Sequence, residues 1–135
     1  MIEFSWPVRV YYEDTDAGGV VYYSNYLKFL ERARTELLRK LGFELDELAR
    51  EQNILFIVRK VTIDYLKPAF FNDLLSVNVR IVDLRKASMI FQHEILNQQE
   101  DCICQAEILL ACIDQTTMKP VTIPDFITSE LDHVD

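Results

Sequence analysis

The chain has 135 residues, half of them apolar and 27% charged, which is enough for one packed domain and too few for two. Acids outnumber Lys and Arg by 22 to 14, a formal charge of −8, and this argues against a general nucleic-acid surface, which would need a basic face. The longest apolar run, Ile108 to Ile113, is far too short to span a bilayer, and MIEFSWPVRV has no basic segment leading into an apolar stretch, so the expected location is the cytoplasm.

In chain order, Val8 to Tyr12 is a short β-rich stretch and predicts a first strand. From Ser24 to Leu41 the period becomes helical. Tyr26, Leu27, Phe29, Leu30, Ala33, Leu37, Leu38 and Leu41 fall on one broad arc, Ser24 and Asn25 are N-cap residue types, and Gly42 supplies a stop. Arg34 lies inside that arc, and Glu31 at i,i+3 is its expected partner in an ion pair. Glu44 to Gln52 predicts a second, shorter helix.

Beyond Ile54 the chain alternates as strands do. Val61, Ile63 and Tyr65 share one parity, as do Val77, Val79 and Ile81, then Met89, Phe91 and Ile95, then the run from Cys102 to Cys112. Pro68 with Asn72 and Asp73, then Arg85 with Lys86, then Asn97 to Asp101, mark short turns of an antiparallel sheet. The three cysteines have neither disulfide-framework numbers nor C-x-x-C spacing, and their shared parity with Ala106, Ile108 and Leu110 predicts core thiols. One long helix followed by four long antiparallel strands gives an α+β single domain over residues 1–135, its sheet covering the apolar helical arc.

The chemistry concentrates in YYEDTDAGGVVYYSNY, residues 11 to 26. Acids precede a small-residue turn, which precedes the start of the long helix. This order folds a carboxylate back toward backbone N–H groups that have no partner inside the helix and can bind an anion or a developing oxyanion. A carboxylate with free donors is a minimal acyl-transfer site. Asp16 before small residues also suits an ordinary turn, and both readings stay open on spacing alone. Glu13 and Asp14 read as solvated strand-end acids. Ser24 has no G-x-S-x-G elbow and reads as a cap. His93 shares the Met89, Phe91, Ile95 face and His133 lies in a polar tail, so neither supports a triad. Arg59, Lys60, Lys67, Arg85, Lys86 and Lys119 are the candidate cations for an anionic ligand, with Arg85 and Lys86, at a turn between long strands, preferred.

The stretch RVYYEDTDAGGVVYYSNYLKFLERARTELLRKLGF (9–43), with DYLKPAFFNDLL (64–75), resembles the 4-hydroxybenzoyl-CoA thioesterase family of hotdog-fold acyl-CoA thioesterases, and within it the bacterial branch associated with the Tol-Pal envelope system. The resemblance runs from about Val8 to Pro124. It implies a hotdog fold, an antiparallel sheet wrapped around a long central helix, and hydrolysis of an acyl-CoA with no metal or redox cofactor. It makes Asp16 the catalytic carboxylate, either nucleophile or general base. It puts the oxyanion donor at the backbone N–H of Tyr23, with Gly19 bringing the backbone close, and lets Arg85 and Lys86 meet the CoA phosphates. It further implies a homotetramer built from dimers with sites between subunits. Relatives in the Tol-Pal branch carry His where this chain has Tyr23. A non-catalytic module binding acyl-CoA or acyl carrier protein in the same pocket is the alternative, and acyl carrier protein also stays open as the thioester donor. A hotdog dehydratase is disfavoured because no His stands beside the carboxylate.

Overall fold

The computed structural model describes residues 3–132; His133 lies outside them. The elements are β1 (Glu3–Arg9), a 3-10 turn (Tyr12–Asp14), α1 (Asn25–Lys40), α2 (Leu45–Gln52), β2 (Ile54–Tyr65), β3 (Leu74–Leu84), β4 (Ser88–Leu96), β5 (Cys102–Asp114) and α3 (Asp125–Asp132). Five antiparallel strands form one sheet in the order β1-β3-β4-β5-β2. This is the α+β hotdog architecture, with α1 as its central helix.

The helix forms where the apolar arc predicts it. Tyr26, Phe29, Leu30, Ala33, Leu37 and Leu38 are buried, and they meet a sheet face made by Leu75, Val77, Val79, Met89, Phe91, Ile95, Cys104, Ala106, Ile108 and Leu110. Phe29 and Phe91 are the bulkiest fully buried side chains, so the core is built around an aromatic from each layer. Gly42, at φ +98°, ends α1 in the left-handed conformation glycine favours. Arg39 then ties the end of α1 to the next helix through Glu36 (2.7 Å) and Glu44 (3.0 Å). Cys104 and Cys112 are buried core thiols, while Cys102 is only half-buried.

The structure corrects several expectations. The first strand is Glu3–Arg9 and not Val8 to Tyr12. It is a sheet edge, where Pro7 is tolerated, and Tyr11 and Tyr12 have left the strand for the 3-10 turn, so the acids do not sit at a strand end. Ser24 holds the N-cap position without a side-chain cap; its backbone is already helical and the helix is entered through a turn at Tyr22. Leu27 falls at the margin of the arc and is 37% exposed. The partner of Arg34 is His93, at 3.2 Å, and not Glu31. A last helix, α3, in a stretch for which the sequence reading predicts no element, closes Ile127 and Leu131 over the core.

β2 does not keep the alternation read from its sequence. It is the second edge, with a register shift at Val58/Lys60, and Val58, Val61 and Tyr65 are all exposed. An edge strand has one side without a neighbour, so apolar residues there stay uncovered within a single chain.

Candidate active site

The loop from Asp14 to Asn25 is closed at both ends by one carbonyl. Asp14 O accepts the N–H of Tyr22 (2.9 Å) and the Nδ2 of Asn25 (2.8 Å), which pulls the start of α1 back against the 3-10 turn. Asp14 is itself fixed, its Oδ2 accepting the N–H of Tyr11 at 2.9 Å, so this acid is half-buried structural support and not a solvated group. Glu13 remains exposed.

Between those ends Thr15 and Val21 form an antiparallel bridge, and the N–H of Asp16 donates to Val20 O at 2.9 Å. Gly19, at φ +83°, makes the return turn that an L side chain rarely permits, and its N–H donates to Asp16 O at 3.0 Å. The N–H of Gly18 donates to Asp16 Oδ1 at 2.9 Å. One carboxylate oxygen is therefore held by backbone, while Oδ2 makes no hydrogen bond among the described residues.

The second component is the helix start. Asn25, Tyr26 and Leu27 donate to Tyr22 O, Tyr23 O and Ser24 O, so the turn's own bonds begin with Asn25. The N–H groups of Tyr23 and Ser24 enter no hydrogen bond among the described residues. They sit at the positive end of the α1 dipole, where a developing negative charge is stabilised. Asp16 is close enough for its charge to reach Tyr22. The phenol of Tyr22 is held above its ordinary pKa, first by contact with the Tyr23 hydroxyl, then by the charge of Tyr23, burial and Asp16.

Aromatic rings surround this point. Tyr22 and Tyr23 lie 4.9 Å apart between centroids, Tyr23 meets Tyr65 edge-on at 6.1 Å, and Tyr65 meets Tyr26 at 5.6 Å. The Oη of Tyr26 accepts the buried N–H of Ala69 at 3.1 Å, and Ala69 O accepts the N–H of Val21 at 2.8 Å. The Pro68–Phe71 turn thus braces the carboxylate loop from below.

The structure brings Asp16, Gly19 and Tyr23 onto one loop and places Arg85 and Lys86 elsewhere. The carboxylate loop lies at the start of β3, where Val10 exchanges bonds with Asn72 and Asp73, whereas Arg85 and Lys86 follow its last residue, roughly 35 Å away along an extended strand. Arg85 is also paired with Asp83 at 2.8 Å. Lys67 is at the carboxylate end but contacts Asp101 at 3.7 Å. Asn25, Gly18 and Tyr65 carry parts of the site that the sequence reading did not assign. Only Gly18 had a usable signal, since Asp two residues before a small residue favours a side-chain-to-backbone turn.

The family description of the thioesterase-like superfamily matches residues 10–131. This chain belongs to the thioesterase-like superfamily. It is 46% identical over 127 residues to the acyl-CoA thioester hydrolase YbgC of Escherichia coli O6:H1, covering 94% of each chain. It is 43% identical over 131 residues to the acyl-CoA thioesterase YbgC of Haemophilus influenzae, covering 97% of this chain and 96% of that one. Among solved structures, a probable thioesterase from Bartonella henselae superposes with a TM-score of 0.86 at 35% identity, over 91% of this chain and all of the other (100%). The family resemblance seen in the sequence holds across the whole domain, and the activity expected from it is the one these relatives are named for.

Proposed function

We propose that this chain hydrolyses an acyl-CoA thioester to the free acid and CoA, with Asp16 as the catalytic carboxylate and the Tyr23 backbone N–H as oxyanion donor. The observation that carries the assignment is the unengaged Oδ2 of Asp16 on the same loop as the unengaged N–H of Tyr23. The thioester carbonyl accepts the Tyr23 N–H and is polarised. Oδ2 then either attacks the carbonyl carbon or takes a proton from the water that does. In either route the C=O electron pair moves onto oxygen, the oxyanion is held at the helix start, and its collapse breaks the C–S bond. The CoA thiolate leaves and takes a proton. If Oδ2 attacked, the mixed anhydride is cleaved by water and the carboxylate is regenerated.

The donor is fixed before the reaction begins, so it stabilises the oxyanion without reorganising, and one such donor is worth roughly 10²–10³ in turnover. Gly19 supports the donor by making the turn that brings the loop backbone back. Because the donor is backbone, Tyr in place of the His common in the Tol-Pal branch leaves it intact.

The same reading takes the working form to be a homotetramer built from dimers. Exposed Val58, Val61 and Leu66 on and beside the β2 edge favour a covering neighbour. Arg85 and Lys86, distant from Asp16 within one chain, then reach CoA phosphates across a subunit boundary. A cytoplasmic site of action and a link to the Tol-Pal system complete the proposal; the first suits a CoA substrate, and the second rests on the resemblance.

The test is a turnover screen across acyl-CoA and acyl-carrier-protein donors. Release of CoA at a catalytic rate supports the assignment. Preference for the carrier-protein donor would move the substrate to acyl carrier protein. Tight binding without turnover would return the chain to a non-catalytic acyl-binding module.

A further inference from the structure

Resting on that reading of the site, we propose that Tyr65 is a specificity-determining residue, whose ring with that of Tyr23 forms the wall the acyl group lies against and favours flat acyl groups over saturated ones.

Tyr65 is the last residue of β2, far in sequence from the carboxylate loop, yet its ring lies 6.1 Å from that of Tyr23 at an interplanar angle of 85°. Its other neighbour is Tyr26, at 5.6 Å and 47°. Tyr26 is buried and anchored through its hydroxyl to Ala69, so it fixes Tyr65 from behind. In contrast, Tyr65 is 44% exposed and Tyr23 is 59% exposed, so each presents open ring surface. The wall is fixed on its inner side and free on its outer side.

The geometry connects this wall to the chemistry. A carbonyl oxygen on the Tyr23 N–H puts the acyl carbons beside the Tyr23 side chain, whose ring meets Tyr22 at 4.9 Å and, from a separate element, Tyr65 at 6.1 Å. Rings at centroid distances of 4.5–7 Å with tilted or edge-on faces attract beyond their area burial, so a planar ring entering this set gains contacts a puckered one does not. The Tyr65 phenol is held above its ordinary pKa by burial first, then by Cys104 and Tyr23, so this ring stays uncharged at neutral pH and suits an apolar acyl group.

The experiment compares kcat/KM for benzoyl-CoA and cyclohexanecarbonyl-CoA, which have the same ring size and differ in flatness. Tyr65→Leu should lower the benzoyl to cyclohexanecarbonyl ratio about fivefold, the scale of one aromatic pair, while Tyr65→Phe keeps it within about twofold. Tyr65→Met, which fills similar space with a flexible chain, should repeat the drop and serves if the leucine variant does not fold. Circular dichroism and light scattering establish that fold and assembly are unchanged. A wild-type ratio in folded, normally assembled Tyr65→Leu or Tyr65→Met overturns the assignment. Absence of turnover of any acyl-CoA by the unaltered chain is a separate result, and strikes the thioesterase reading itself.

Discussion

The N–H of Gly18 donates to Asp16 Oδ1 at 2.9 Å, and a Cβ placed on Gly18 would meet that same oxygen at 3.2 Å. The glycine therefore orients the carboxylate and also leaves it room. Gly18→Ala must shift Asp16 by a few tenths of an ångström, and a misplaced reacting group is costly because the reaction depends on near-attack geometry. We expect kcat to fall about tenfold with the melting temperature nearly unchanged, read by steady-state kinetics and thermal unfolding. Unaltered kcat would mean that the position of Oδ1 is not critical.

Tyr23 acts through its backbone. Tyr23→Phe should retain most turnover, whereas Tyr23→Pro removes the donor and should lose at least ~100-fold. Proline also restrains Tyr22, so far-ultraviolet circular dichroism must accompany the kinetics. A folded, active proline variant beside an inactive phenylalanine variant would make the phenol the chemical group.

Tyr26→Phe deprives the buried N–H of Ala69 of its acceptor. An unsatisfied buried donor costs about 1–3 kcal/mol, so denaturant unfolding should show a loss of that size with little change in m-value. A neutral outcome would show that the Pro68–Phe71 turn finds another partner.

His93 gives a pH dependence of defined sign. Its Nδ1 lies 3.2 Å from Asn78 O and its Nε2 3.2 Å from Arg34 Nη1, an arrangement satisfied by a neutral ring that donates from Nδ1 and accepts at Nε2. Burial first, then the Arg34 cation, lowers its pKa to about 3, with the Asn78 contact opposing. Arg34 is lowered by burial to about 10, against a raising effect of Glu31, and stays charged at neutral pH. The unfolded chain therefore binds a proton at His93 near pH 6.5 that the folded chain refuses until about 3. Stability from this group is complete above about pH 6.5 and is lost as pH falls toward 3. His93→Gln should flatten the stability profile between pH 7 and 4, measured by urea unfolding. A profile as steep as that of the unaltered chain would assign the acid sensitivity to other groups.

The parts of the fold legible in the sequence are those where one physical signal dominates. The arc from Tyr26 to Leu38 could only be a buried helix face, and Gly42 marks its end because few other residues accept that backbone. Edges were harder to read. β1 alternates Phe4, Trp6 and Val8 with Glu3, Ser5 and Arg9 but carries Pro7, a residue that speaks against a strand interior and is tolerated only at an edge, and β2 exposes Val58 and Val61 although their residue types suggest burial. Arg34 illustrates a different limit. Sequence spacing offers only local partners such as Glu31, while the contact it makes is with His93, 59 positions away on β4. In the site, the order of acids, glycines and helix start was readable, but the clamp by Asp14 O was not, since a carbonyl has no residue-type signature.

The account stands most directly on Asp16. Asp16→Asn preserves the shape of the side chain and can still accept the Gly18 N–H, while it removes the charge needed for nucleophile or base. The deciding measurement is thioester turnover by the purified variant, with CoA-ligand binding and thermal unfolding recorded on the same sample. We predict that turnover is abolished while binding and melting temperature stay close to those of the unaltered chain. Turnover near the original rate in a folded Asp16→Asn variant would contradict the assignment of Asp16 as the catalytic carboxylate.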